Sequence, residues 1–402
     1  MGKVILTGKG RRWVLGGHPW IYRDDIAGGE AEPGELLPVE DPNGNPLGWG
    51  LFSASSKIAV RLVTSEASQP KRDFWAERVG RAVKAREAMG YLDPEGACRL
   101  IAGDADRLPG WVVDLYGRTA VVQSSTQATD RMRDFLVELL EEALPFELET
   151  IVDRSDVSVR RFEDLDERVE TLKGEVRGPV LVREGELAFE VDVLGGHKTG
   201  AYLDQRENRM RAAQLCGEGR MLDAFCYDGL FGIRAALAGA REVVCLDQSG
   251  PAGERLRANA ERNGVADRVR FEKANCMQEL RNRLEAGESY EVVVVDPPAF
   301  ARNRREAEGA ERGYVELNRR GLGLVAEGGF LVTASCSYNV RSADFVRYLA
   351  SASRLAGRDA WVEELRGAAP DHPALLAIPE TSYLKCAFLR VPGPPAGPAG
   401  EA

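Results

Sequence analysis

The 402-residue chain has no apolar run approaching the roughly 20 residues that cross a bilayer, so neither a membrane span nor a membrane partner is expected. Residues 1–12 carry basic side chains but no apolar segment, and no secretory leader is expected there. No CxxC pair occurs among Cys98, Cys216, Cys226, Cys245, Cys276, Cys336 and Cys386, and seven is an odd count. That argues against a disulfide framework and against a zinc site, so no metal is expected; a reducing, cytoplasmic setting fits. GxGxxG is missing, which disfavours a nicotinamide oxidoreductase. No internal repeat is evident. Positive charge is also in deficit, with a net charge of −10, which argues against unspecific coating of nucleic acid but leaves room for local basic patches.

What is present suits two or three domains, because one core rarely serves so long a chain. Residues 1–23 hold Lys3, Lys9, Arg11, Arg12 and Arg23 with no acid at all. Residues 71–87 hold Lys71, Arg72, Arg78, Arg81, Lys84 and Arg86 against three acids. Each run is either a nucleic-acid footprint or a solvated face. Val4-Ile5-Leu6, Leu36 to Val39, Leu47 to Gly50 and Ile58 to Leu62 are short β-type runs between turn residues, which predicts a small β-barrel over 1–70. A helix is expected from Asp73 to Met89, with Phe74, Val79, Ala82 and Val83 on its inner side. Strands at Trp111–Asp114, Ala120–Gln123 and Thr150–Val152, with an amphipathic helix near Arg131–Ala143, predict a middle α+β domain over 71–190.

From 191 to 391 the pattern becomes alternating strands and helices. Met221-Leu222, Val243–Leu246, Val269–Phe271, Val292–Val295 and Phe330–Val332 are apolar runs suited to a sheet covered on both faces. Helical lengths lie between them, at 232–240, 252–263, 278–286 and 305–326. This is the signature of a doubly wound α/β domain. Residues 392–402 are rich in Pro, Gly and Ala and read as a disordered tail.

In such a sheet, ligands bind at the carboxyl ends of the strands. Asp223, followed by Phe225, Cys226, Tyr227, Gly229 and Gly232, forms a strand, a Gly-containing turn and a helix start, where backbone can approach a ligand closely. Asp247 closes the next strand 24 residues later, a spacing that places a carboxylate to accept two ribose hydroxyls. Asn275 follows the third strand, and Asp296-Pro297-Pro298-Ala299-Phe300 follows the fourth. Forty residues beyond Asp296, the fifth strand ends in Ser335-Cys336-Ser337. An acid on a rigid Pro-Pro corner beside a thiol suggests covalent chemistry on a flat, electron-poor ring such as a pyrimidine. Taken alone, a strand-end Asp is as often a cap, and a free cysteine is most often a small buried hydrophobe.

Together these residues resemble the class I S-adenosylmethionine-dependent methyltransferases, a Rossmann-like fold. Gly196 to Arg209, including Lys198-Thr199-Gly200 and Asp204-Gln205-Arg206, resembles the signature of the large-subunit ribosomal RNA cytosine-5 methyltransferases. Gly17-His18-Pro19-Trp20 resembles the start of their N-terminal PUA domain. Gly103 to Gly110 and Arg154-Ser155-Asp156 are similar to their middle domain, and Asp371-His372-Pro373 and Tyr383-Leu384-Lys385 to their C-terminal end. The resemblance implies S-adenosyl-L-methionine as cofactor and 23S rRNA as partner; a homodimer is admitted but not required.

By the same resemblance, Lys198, Thr199, Tyr202, Gln205 and Arg206 line the methionine end of the cofactor or the substrate entrance. Asp223, Phe225, Cys226, Tyr227 and Gly229 form the first motif, Asp247 is the ribose-binding acid, Asn275 the adenine-contact position, Asp296 and Pro297 belong to the fourth motif, and Gln248 and Cys276 are further cofactor-binding candidates. Lys9, Arg11, Arg12, His18 and Trp20 are the RNA-binding candidates. The implied catalytic pair is Cys336 and Asp296. Carbon 5 of cytosine is a poor nucleophile until a thiolate adds to carbon 6, and the reactive form of a cysteine is the thiolate. Asp296 would hydrogen-bond the base, which must leave any stack to reach the pocket. The chain departs from the family at Asp228 and Leu230, where Thr and Gly are usual, at Asn275, where Asp is more frequent, and at Ala299, where many relatives carry a second cysteine. A purine N-methyltransferase holding its base with Asp296 to Phe300 is the nearest rival, and an RNA-binding assembly factor the rival from another class.

Overall fold

The computed structural model describes residues 2–300 and 307–393. The chain forms two compact units, one of residues 1–184, 190–203 and 370–382, the other of 185–189, 204–369 and 383–402. Most of the expected tail, 394–402, lies outside the described residues. Among those described, no helix is long and apolar enough to cross a membrane.

The first unit contains two sheets. Six strands take the order Trp20–Tyr22, Ile58–Thr64, Pro46–Phe52, Leu36–Glu40, Lys3–Leu6, Ile26–Glu30. Their inward residues Val4, Leu6, Ile21, Leu37, Val39 and Val60 form one cluster, as alternation along a half-buried strand requires. A helix, Gly8–Leu15, follows the strand Lys3–Leu6. Thr7 starts it, its hydroxyl accepting from Gly10 N at 3.0 Å. Gly10 is needed because a Cβ there would lie 2.6 Å from the Asp25 carbonyl.

Five strands form the second sheet, in the order Arg168–Lys173, Thr150–Ser155, Thr119–Ser124, Trp111–Tyr116, Ala97–Ala102. Against it lies the helix Arg72–Ala88, burying Trp75, Val79, Ala82, Val83 and Arg86 at helical spacing. Trp75 takes the inner place expected for Phe74, which is only half-buried. The helix expected near Arg131–Ala143 is two, Gln127–Arg131 and Arg133–Ala143, broken at Met132.

The second unit is a seven-stranded sheet. We number its strands along the chain: β1 Arg220–Ala224, β2 Glu242–Asp247, β3 Val269–Lys273, β4 Tyr290–Val295, β5 Val325–Ser335, β6 Trp361–Arg366 and β7 Lys385–Arg390. Their order is β3-β2-β1-β4-β5-β7-β6. The first five are parallel, and β7 runs antiparallel to both β5 and β6. The helices are α1 Arg206–Cys216, α2 Leu230–Leu237, α3 Gly250–Arg262, α4 Cys276–Glu285, α5 Ala307–Gly323 and α6 Ser342–Ala356.

Val292 to Val295 are all essentially inaccessible, as expected of a parallel strand covered on both faces. The expected doubly wound domain is therefore present. Two strands and two helices extend it beyond the sequence expectation: β6 and β7, α1 and α6. The order reverses between β1 and β4, which makes the end of that pair the place where loops diverge and leave a crevice.

Candidate active site

At the end of β1, Asp223 is 1% exposed, and its carboxylate accepts from Gly232 N at 3.1 Å. Burial, reinforced by Asp296, Asp247 and Asp228, pushes its carboxyl up to about 8. Gly232 is held to glycine by packing: a Cβ would stand 2.7 Å from Cys245 Sγ and from Val243 Cγ1. Phe225 and Tyr227 take left-handed conformations, with φ of 63° and 51°, which cost about 1 kcal/mol or more each and persist only where the surroundings enforce them.

Three backbone contacts do so. Cys226 N donates to Leu246 O at 3.0 Å, Tyr227 N to Asp247 Oδ2 at 3.0 Å, and Phe225 N to Cys276 Sγ at 3.4 Å. The turn after β1 is thus tied to the end of β2 and the start of α4. The first motif, the acid expected at the ribose and a residue expected at the adenine meet here.

Asp247 is half-buried, and its other oxygen accepts from Ser249 N at 2.9 Å. Each carboxylate oxygen therefore carries one backbone N–H and keeps lone pairs for a further donor. Gln248 and Asn275 are exposed, and Asn275 caps α4 by accepting from Gln278 N at 3.1 Å. Asp228 is buried and raised to about 6 by that burial, opposed by Arg209 and Arg255. The guanidinium of Arg255 lies 5.0 Å above the Tyr227 ring. The unusual aspartate thus has cations around it.

The strands β4 and β5 pair from Tyr290 to Val295, so the loops that follow leave the sheet side by side. Asp296, half-buried, accepts from Gln205 Nε2 at 2.9 Å, and Gln205 in turn accepts from Asn208 Nδ2 at 2.7 Å. Pro297 is buried. Phe300 packs edge-on against Tyr314, their centroids 4.8 Å apart. Tyr314 from α5 accepts from Ser335 Oγ at 2.8 Å and lies 3.0 Å from Ser337 Oγ. The two motifs are thereby braced against one tyrosine, with Cys336 between the two serines that it holds. Cys336 is half-exposed, whereas the other six cysteines are buried.

The remaining expected residues are divided between the two units. Arg206, buried, opens α1 in the second unit. Lys198, Thr199 and Tyr202 belong to the first unit. Thr199 is buried there, donating to Asp114 and lying 3.0 Å from the Tyr116 hydroxyl. Lys198 is exposed, its ammonium 4.4 Å from the centre of the Tyr202 ring.

Of the RNA-binding candidates, Lys9 pairs with Asp25 at 2.9 Å and Arg11 with Asp41 at 3.2 Å. Arg12 is exposed and makes no ion pair among the described residues. His18 stacks on Trp13, centroids 4.8 Å apart, and Trp20 Nε1 donates to Asp104 at 2.7 Å. Much of the second basic run is spent internally: Arg72 pairs with Glu138 and Glu142, Arg81 with Glu77, and buried Arg86 with Asp106.

Residues 4–65 match the PUA-like domain family, and residues 149–385 match the S-adenosylmethionine-dependent methyltransferase family. Over 397 residues the chain is 37% identical to the ribosomal RNA large subunit methyltransferase I of Aeromonas hydrophila, covering 97% of this chain and 100% of that one. The chain belongs to this methyltransferase family. A second member, from Photobacterium profundum, is also 37% identical, with 92% of this chain and 94% of the relative covered. Among solved structures, SMU.776, a candidate methyltransferase complexed with SAH, superposes with a TM-score of 0.85 at 18% identity, covering 97% of this chain and 100% of that one. That likeness extends the shared fold over nearly the whole length.

The methyltransferase takes S-adenosylmethionine as its cofactor. The residues present suit a ligand that carries positive charge: Asp247, Asp296 and Asp228 stand close enough to Asp223, and Asp247 close enough to Asp228, to help raise those two carboxyls. A cation placed among them relieves that repulsion. Sequence reasoning missed Tyr314, because a tyrosine inside a helix carries no sign of what it touches. It also gave Lys385 no role beyond the Tyr383-Leu384-Lys385 resemblance, although that motif was the available signal.

Proposed function

We propose that this methyltransferase modifies carbon 5 of a cytidine in large-subunit (23S) ribosomal RNA, with Cys336 as nucleophile. The observation that carries the reading is the exposure of Cys336: it is the half-exposed thiol of seven, at the carboxyl end of β5, beside the loop that holds Asp296. The names of the curated relatives support ribosomal RNA as the substrate. S-adenosylmethionine supplies an electrophilic methyl group when bound. Phe225, Cys226, Tyr227 and Gly229 would form its backbone cradle, with Gln248 and Cys276 beside it, and Asp247 would take the ribose hydroxyls.

On the protein's side, the Cys336 thiolate forms a bond to carbon 6 and makes carbon 5 enamine-like. Carbon 5 then takes the methyl group, its proton leaves, and the carbon–sulfur bond breaks to return the thiolate. Asp296, oriented by Gln205, would hydrogen-bond the Watson–Crick edge of the base and favour protonation at ring nitrogen 3, which draws electrons from carbon 6. Tyr338, 67% exposed two residues after the thiol, offers a face on which an extruded base can stack. With Ala299 after Pro-Pro, a single cysteine carries the covalent step. In the N-terminal domain, Trp13, 43% exposed and stacked on His18, together with Arg12, would contact single-stranded RNA.

The test incubates wild type and Cys336→Ala with methyl-labelled cofactor and protein-free large-subunit rRNA, and maps the label. Loss of label in the variant, with 5-methylcytidine formed by the wild type, is expected. Undiminished methylation by the variant, or label on a purine, would sink the cytosine reading.

A further inference from the structure

Lys385 is 4% exposed, and among the described residues its hydrogen-bond partners are two carbonyls, Ser337 O and Tyr383 O, each at 2.8 Å. A buried ammonium without a carboxylate partner is costly, and it is kept where an anion forms beside it. The register shows which anion. Lys385 pairs with Ser335 across β5 and β7, and its ammonium reaches over to the carbonyl of Ser337. Cys336 is the residue between these two contacts. An ammonium has three N–H groups, so two carbonyls leave one for a third acceptor.

We propose that Lys385 is a positioning residue that holds Cys336 as a thiolate at neutral pH; this rests on Cys336 being the nucleophile. The thiol proton leaves to solvent, and the resulting thiolate becomes the counter-ion of the buried ammonium. Burial pushes Lys385 down to about 8, and Cys336 works against that push, so Lys385 stays largely charged at pH 7. The attraction is reciprocal: what a thiolate does for the ammonium, the ammonium does for the thiolate.

Groups from each neighbouring element bear on the thiol. Tyr314 from α5 is raised by burial and feels Cys336 as well. Tyr383, preceding β7, lies 5.9 Å from Tyr338, centroid to centroid. Asp296, on the loop after β4, is the carboxylate of the adjacent strand end, and it opposes the thiolate. Lys385 is the cation that the sheet register brings to this loop.

The experiment measures alkylation of Cys336 by iodoacetamide from pH 6 to 9.5, quantified on the Cys336 peptide by mass spectrometry. It uses wild type, Lys385→Met and Lys385→Arg, with methylation by Cys336→Ala run alongside. Wild type is expected to reach half its maximal rate below pH 8, against about 8.5 for an ordinary thiol. Lys385→Met should move that midpoint up by about one unit and react about tenfold more slowly at pH 7, with Lys385→Arg close to wild type. A wild-type midpoint at 8.5 or above, or coincident wild-type and Lys385→Met profiles, overturns the proposal while leaving Cys336 as nucleophile. Undiminished methylation by Cys336→Ala overturns the nucleophile itself, whatever the profiles show. If Lys385→Met does not fold, the wild-type midpoint and the Lys385→Arg profile decide.

Discussion

In the first unit, Arg86 sets two nitrogens on the two oxygens of Asp106, each at 2.8 Å, and gives further bonds to the carbonyls of Arg99 and Asp371. Arg99 in turn grips both oxygens of Asp114, and Arg154 both oxygens of Asp156. In the second unit, the strand ends bury Asp223 with a single backbone N–H from Gly232, and Lys385 with two carbonyls. Both units put charge inside, and the second also has matched pairs, such as buried Arg283 with Glu272, Glu279 and Glu288, but not at Asp223 and Lys385 on its strand ends. Paired charges orient a fold, whereas charges of one sign left to crowd one another shift their proton affinities and invite a ligand. The difference separates scaffold from site without reference to any relative.

The comparison can be broken at its strongest point by removing one half of a fork. Arg86→Met strands the Asp106 carboxylate and should cost about 3–5 kcal/mol, read as a drop in the urea midpoint. A loss under about 1 kcal/mol would mean that the pairing does little for the scaffold.

Asp223→Asn tests the opposite regime. Asp223 is raised from an ordinary carboxylate to about 8, so the folded protein holds a proton that the unfolded chain gives up. Its favourable contribution is complete below about pH 4 and is lost progressively as pH rises to 8. Wild type should therefore lose stability relative to Asp223→Asn between pH 5 and 8, by about 1 kcal/mol per pH unit, and run parallel to it above pH 8. Parallel curves throughout would remove Asp223 from the comparison.

Asp247→Ala removes the acceptor for Tyr227 N and Ser249 N and the proposed ribose contact together. Its dissociation constant for S-adenosylmethionine, by calorimetry, should rise about tenfold or more, or about 1.4 kcal/mol. An unchanged constant takes Asp247 out of the ribose role. At the small end, Arg81→Ala breaks an exposed pair with Glu77 and should leave the melting temperature unchanged within error.

The parallel strands were legible because burial on both faces writes an unbroken apolar run, as in Val292 to Val295. The motifs at their ends were legible because spacing along the chain becomes position along the sheet edge. The outer strand β6, Trp-Val-Glu-Glu-Leu-Arg, was not. Trp361, Val362 and Leu365 are roughly half-exposed, so no apolar run marks an edge strand. The helix Gly8–Leu15 was hidden by its two glycines, one of which is there to let Asp25 approach. Counting charges located basic runs but not their partners. Arg86 counted as a surface cation until Asp106, twenty residues away, claimed it.

By itself the sequence determined the α/β class, the cofactor, and which strand ends carry Asp223, Asp247, Asp296 and Cys336. The class and the strand ends follow from residue type and spacing, and the cofactor from the family resemblance that those residues carry. Only the tertiary structure decided which charges are matched. It put Tyr314 on the two serines flanking Cys336, and it brought Lys385, forty-nine residues further along, into register with Ser335 through an antiparallel strand. Register and burial are set by the whole sheet, and a charge acts on a thiol through space, whatever its place in the chain.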